Sequence, residues 1–102
     1  MKSVIFTLGA AALLVSGSAM ADLDLAKKSG CLACHSVDKK IVGPAWKDVG
    51  KKYKASDKAM LIAKVKKGGK GVWGPAPMPP YSPRVSDANI EKLVDFVLSL
   101  GK

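Results

Sequence analysis

The sequence predicts an all-α domain, and three observations carry that prediction. No segment shows the apolar–polar alternation of a half-buried strand. One segment, "SDANIEKLVDFVLSLG" (residues 86–101), has the helical period, with Ile90, Leu93, Val94, Val97 and Leu98 at i, i+3, i+4, i+7 and i+8. Glycines and prolines cut the chain before it into pieces long enough only for short helices and loops.

The domain is expected to begin at residue 22. Met1 and Lys2 make a short positive start, "VIFTLGAAALLV" (residues 4–15) is apolar or small throughout, and "SGS" leads to the small-x-small triplet "AMA" at 19–21. This reads as a secretory signal peptide over residues 1–21, cleaved after Ala21. Its apolar run of 12 residues is well short of a membrane-spanning helix, which needs roughly 20. Stable membrane insertion is therefore not expected once the leader is gone. Residues 22–102 then form one domain of 81 residues. That is near the lower limit at which an apolar core suffices, so a disulfide, metal or cofactor is expected to help hold it.

Outside the leader, 16 basic residues face 8 acidic ones, and all the basic residues except Arg84 are lysines. Nucleic-acid readers lean on arginine forks and stacking aromatics, which do not accompany the charge here. A lysine-studded surface fits steering toward an acidic protein or an anionic membrane face.

The elements follow in order. "DLDLAKKSG" (22–30) has acids first, lysines later and Gly30 as a stop, and predicts a helix of about two turns. "CLACHSVDKKIVGP" (31–44) is a turn and loop. "AWKDVGKKY" (45–53) is a brief helix weakened by Gly50. "SDKAMLIAKVKKGG" (56–69) predicts a helix capped by Ser56 or Asp57 and ended by Gly68 and Gly69. "GKGVWGPAPMPPYSPRV" (69–85) cannot be a continuous helix, and it is longer than a structureless loop usually is unless it carries a function. Ser86 caps the final helix, with Asp87 in its first turn.

Both cysteines and the only histidine lie in "SGCLACHSV" (29–37). A redox C-x-x-C opens a helix next to a βαβ pattern, and the chain has none. Structural zinc wants four N or S ligands, where only Cys31, Cys34 and His35 are on offer. C-x-x-C-H is instead the spacing of covalent haem c attachment: two thiols add to the two vinyl groups of one porphyrin, and the next residue, His35, faces the iron. The export signal agrees with this chemistry.

A second axial ligand must come from elsewhere, since no second histidine exists. Met60 sits in the helical stretch "KAMLIAKV" and reads as a packing residue. Met78 lies in "PAPMPPY", among Pro75, Pro77, Pro79 and Pro80. A proline-stiffened loop can hold a thioether against a metal with little entropy left to lose; the plain alternative is a rigid cover whose methionine only packs. With His35 and Met78 on the iron, no site remains for substrate, and the task becomes outer-sphere electron transfer between ferrous and ferric states rather than enzymatic catalysis. A peroxidase or gas sensor would need a distal histidine or arginine, and none is evident.

A ligating histidine usually donates its other ring N–H to a carbonyl. Pro44, in the "VGP" turn, is a candidate acceptor, and spacing alone leaves it level with an ordinary turn. Trp46 and Trp73 are each candidates to lie against a porphyrin, with indole N–H groups free for a propionate, or to be plain core.

Together, "GCLACH", "VGPAWKDV", "KVKKGGKGVWGPAPMPP" and "VSDANIEKLVDFVLSL" resemble, in order and spacing, the small monohaem class I cytochromes c of bacteria, the cytochrome c-551/c-552 group. The resemblance spans residues 22–102. It implies four to five short helices around one covalently bound haem c, with the first and last helices crossing. It implies thioethers at Cys31 and Cys34, His35 as proximal and Met78 as distal iron ligand, a Pro44 carbonyl bonded to His35, and Lys64 and Trp73 near a haem propionate. It also implies a periplasmic electron carrier. A monomer is expected that shuttles electrons between respiratory reductases, oxidases or membrane cytochrome complexes, docking on their acidic patches through its lysine-rich surface. One departure stands out: many relatives have asparagine after "MPP", able to donate to the methionine sulfur, where this chain has Tyr81.

Overall fold

A computed structural model describes residues 20–102. The leader assigned to residues 1–21 lies almost wholly outside the described residues. Among the described residues four helices form: α1 at 20–28, α2 at Trp46–Lys52, α3 at Lys58–Lys67 and α4 at Asp87–Ser99. Two 3-10 turns, Cys31–Ala33 and Ala55–Asp57, separate them. Among the described residues there is no strand, only the isolated bridges His35–Lys40 and Gly69–Met78. The all-α prediction holds.

Helix α4 is the keel. Ser86 accepts a hydrogen bond from the Asn89 N–H at 3.2 Å, satisfying one of the donors that the first turn leaves over. Its apolar stripe buries Ile90, Leu93, Val94 and Val97 as the period predicts. Phe96 is buried as well, off that stripe, because Trp46 of α2 meets it edge-on at 6.1 Å. Ala26 of α1 is fully enclosed in the same cluster, and the end of α1 shares a recess with Val85, Ser86 and Asn89 at the head of α4.

Helices α2 and α3 both pack on α4. Lys58 pairs with Glu91 and Asp95 (3.0 and 3.1 Å) and Lys66 with Asp87 (3.2 Å), so α3 runs antiparallel to α4. Gly50 costs α2 some propensity, and the fold uses the missing side chain. A Cβ there would strike the Val97 carbonyl and the Gly101 backbone, so α2 crosses the end of α4 at backbone contact.

Two expectations need correction. Asp57 precedes α3 without capping it by its side chain; its carboxylate instead accepts the Lys54 N–H at 2.9 Å, closing the 3-10 turn before the helix. Met60, read as a packing residue, is 40% exposed on the outer side of α3.

Candidate metal centre

The C-x-x-C spacing acquires its meaning from the 3-10 turn. With three residues per turn, side chains at i and i+3 eclipse. The turn Cys31–Ala33 is followed by Cys34, whose N–H bonds back to the Cys31 carbonyl at 3.2 Å, so both thiols stand on one side. The His35 N–H bonds to that same carbonyl at 3.0 Å. Burial pushes the Cys31 thiol pKa up, and the positive charge of Arg84 pulls partly the other way.

His35 is fixed from three directions. Its Nδ1 lies 2.9 Å from the Pro44 carbonyl. A carbonyl can only accept, so Nδ1 is the donor, and in the neutral imidazole Nε2 keeps a free lone pair. Trp46 stacks on the ring at 5.5 Å and 24°. Gly43 approaches so closely that a Cβ would run into Cε1, Nδ1 and Nε2 of the imidazole. The loop holding these groups is itself tied down. The Gly43 N–H bonds to the Cys34 carbonyl (2.8 Å), while the Ser36 and Val37 carbonyls take the first N–H groups of α2, from Trp46 and Lys47 (2.9 and 3.1 Å). Backbone carbonyls therefore stand opposite the unsatisfied donors at the start of α2, whose N-cap residue Ala45 has no capping side chain.

Met78 is held by its backbone. Its N–H bonds to the Gly69 carbonyl at 2.7 Å and its carbonyl accepts from the Gly69 N–H at 3.0 Å, the pair sitting just past the end of α3. Beyond it, the Tyr81 and Ser82 N–H groups bond to the Val65 and Lys66 carbonyls at 3.1 and 3.3 Å. The loop thus satisfies carbonyls that the last turn of α3 would leave open, and the helix in return positions the loop.

These groups converge on one cleft. Cys31, Cys34, His35 and Met78 line it, with Val49 of α2, Leu61 and Val65 of α3, and Leu93, Val94 and Val97 of α4 behind them. No acidic side chain lines it; Lys64 and Lys70 do. An apolar cleft with two thiols on one turn, an imidazole with a free lone pair, a thioether and lysines without acids fits a flat apolar macrocycle that carries anionic groups. The donor set fits haem c.

The structure brings together on this cleft every residue singled out from the sequence: Cys31, Cys34, His35, Pro44, Lys64, Trp73 and Met78. The two tryptophans divide. Trp46 is both core, buried between His35 and Phe96, and part of the cleft lining, whereas Trp73 sits at the rim, 37% exposed, with the Lys52 ammonium 5.7 Å from its ring centre. Sequence reasoning missed Gly43 as a contact of the imidazole and Gly69 as the partner of Met78. In the sequence Gly43 signals a turn and Gly69 a helix stop, and only the closed fold gives them these neighbours. Tyr81 is buried on the cleft wall, its ring beneath the guanidinium of Arg84 at 4.8 Å.

The sequence profile of the cytochrome c family matches residues 24–101. The chain is 53% identical to cytochrome c-552 of Nitrosomonas europaea over 96 residues, covering 92% of each. It is 47% identical to cytochrome c-551 of Pseudomonas aeruginosa over 90 residues, covering 85% of each. The crystal structure of wild-type Nitrosomonas europaea cytochrome c552 superposes with a TM-score of 0.72 at 50% identity, covering 76% of this chain and 98% of that one. The class 1 cytochrome MtoD from Sideroxydans lithotrophicus ES-1 gives a TM-score of 0.69 at 36% identity, covering 80% and 95%. Fold and site therefore define a small class I cytochrome, and the chain belongs to the cytochrome c family. It is a haem-based electron-transfer protein of the c-551/c-552 type, not an enzyme, and its cofactor is one covalently bound haem c with its iron.

Proposed function

We propose that this chain is a soluble periplasmic electron carrier in which Cys31 and Cys34 hold the haem through thioether bonds and His35 and Met78 are the two axial ligands of its iron. The observation that carries the reading is the meeting, on one apolar cleft, of the Met78 thioether with an imidazole whose Nδ1–H is committed to the Pro44 carbonyl. When bound, haem c supplies a one-electron couple between ferrous and ferric iron.

The protein's residues do the rest. Pro44, Gly43 and Trp46 hold the His35 ring in one orientation, so that Nε2 keeps its position through changes of oxidation state. The Gly69 bridge holds the Met78 backbone. Val49, Leu61, Val65, Leu93, Val94 and Val97 exclude water from the cleft. Lys64 and Lys70 offer countercharge to the propionates, and Trp73 offers an indole N–H at the rim. The described residues contain no helix long and apolar enough to cross a membrane. Residues 1–21 act as the export leader, removed after Ala21, and residues 22–102 are the mature domain. As a monomer it exchanges electrons with respiratory reductases, oxidases or membrane cytochrome complexes through acidic patches on those partners, which the lysines attract.

Expression of the full chain in a bacterium that attaches haem c tests this reading. The expected product is a periplasmic protein with the mass of residues 22–102 plus one haem, undergoing reversible one-electron reduction. A haem-free or uncleaved product would contradict it.

A further inference from the structure

We propose that Arg84, acting across the ring of Tyr81, sets the reduction potential of this site by holding a fixed positive charge immediately behind the cleft wall. Tyr81 lines both the cleft and a second recess, which Leu25, Lys28, Ser29 and Val85 also line. Arg84 lines only the second recess, so the tyrosine ring is the partition between guanidinium and cleft. Tyr81 as a whole is only 7% exposed. Its backbone is pinned at both ends: the Tyr81 N–H bonds to the Val65 carbonyl (3.1 Å), and the Tyr81 carbonyl accepts from Val85 (2.8 Å).

The guanidinium, 4.8 Å from the ring centre, is held by cation–π stacking, which suits the planar guanidinium better than a lysine ammonium. No carboxylate pairs with Arg84 among the described residues, and Asp87, close in sequence, is engaged by Lys66. Arg84 itself is exposed to solvent on its outer side, so water screens part of its charge. No such ion pair offsets it, however, and the side facing the cleft is filled by the buried Tyr81 rather than by water. Reduction makes the iron site one charge less positive, so a fixed positive charge beside it favours the reduced state.

The proposal rests on the haem reading above. Its test is a spectroelectrochemical titration of the haem-loaded protein at low and high salt, comparing wild type with Arg84→Leu and Arg84→Lys. Arg84→Leu is expected to lower the reduction equilibrium constant roughly three- to tenfold, tenfold being 59 mV for one electron. Arg84→Lys, which keeps the charge and loses the stacking plane, is expected to recover part of that loss. Should Arg84→Leu not accumulate as holoprotein, Arg84→Gln is neutral, keeps a polar tip and takes its place. A neutral variant within twofold of wild type at low salt would overturn the proposal, even if its thermal stability fell. Equal losses in the neutral and lysine variants would overturn it too, because charge would not be the cause. Failure of the haem reading looks different: the haem c spectrum itself would be missing.

Discussion

Gly69 and Met78 exchange both of their backbone hydrogen bonds, at 3.0 and 2.7 Å, and so fasten the methionine loop to the end of α3. The prolines around Met78 limit how far the loop can wander, and the bridge determines where it stops. Gly69→Pro removes one of the two donors. The lost bond is expected to cost about 1 kcal/mol, which corresponds to roughly a fivefold increase in the population with Met78 detached. Carbon monoxide association with the reduced protein should speed up by a similar factor. An unchanged rate would mean that the bridge does not hold the ligand.

The core is thin without its cofactor. Among the described residues Ile90 is the only large side chain wholly enclosed, while Leu61, Val65, Leu93, Val94 and Val97 all face the cleft. In small domains of this kind the free energy of cofactor binding is folding free energy. The double variant Cys31→Ala, Cys34→Ala is therefore expected to be largely unfolded. Far-UV circular dichroism should report loss of most of the helix, and a haem-free chain with native-like helix content would contradict this.

Stability should fall at alkaline pH, for two reasons that share a sign. Hydrogen bonds to Glu91 and Asp95 raise the Lys58 pKa, and burial raises that of Tyr81. Each group binds its proton more tightly in the folded chain than in the unfolded one. Their contributions are thus complete below about pH 10 and are lost as pH rises through the folded-state values. Urea unfolding at pH 8 and pH 11 should give a lower midpoint at the higher pH. Lys58→Met should reduce that drop, and equal drops in variant and wild type would remove Lys58 from the account.

The cleft-facing lysines bear on docking. Lys64 and Lys70 line a cleft that no acidic residue lines, whereas Asp24, Asp38, Asp87, Glu91 and Asp95 are each occupied in an ion pair. Electron exchange with an acidic redox protein should therefore fall about tenfold or more from low to high ionic strength. Lys70→Glu should weaken that dependence. Stopped-flow rates that ignore salt would argue that charge does not guide the encounter.

What the sequence made legible was local. The period of α4, its Ser86 cap, the C-x-x-C-H spacing and the proline-rich setting of Met78 are each written within about a dozen residues. The rest needed the closed chain. Trp46 stacks on His35 from eleven positions away, and Gly43 touches the ring because the loop folds back on itself. Phe96 is off the predicted stripe of α4 and becomes core only because α2 supplies Trp46. Asp57 has the chemistry of a helix cap, but its carboxylate accepts the backbone N–H of Lys54 instead. Met60 has the chemistry of a packing residue, yet α3 turns it outward.

The most direct test of the site is an optical spectrum of the purified, dithionite-reduced protein before and after carbon monoxide is added. With His35 and Met78 both on the iron, a haem c spectrum is expected that the gas does not change promptly, since it can bind only as fast as Met78 detaches. A prompt carbon monoxide complex would mean that the sixth position is open, and the assignment of Met78 would fall.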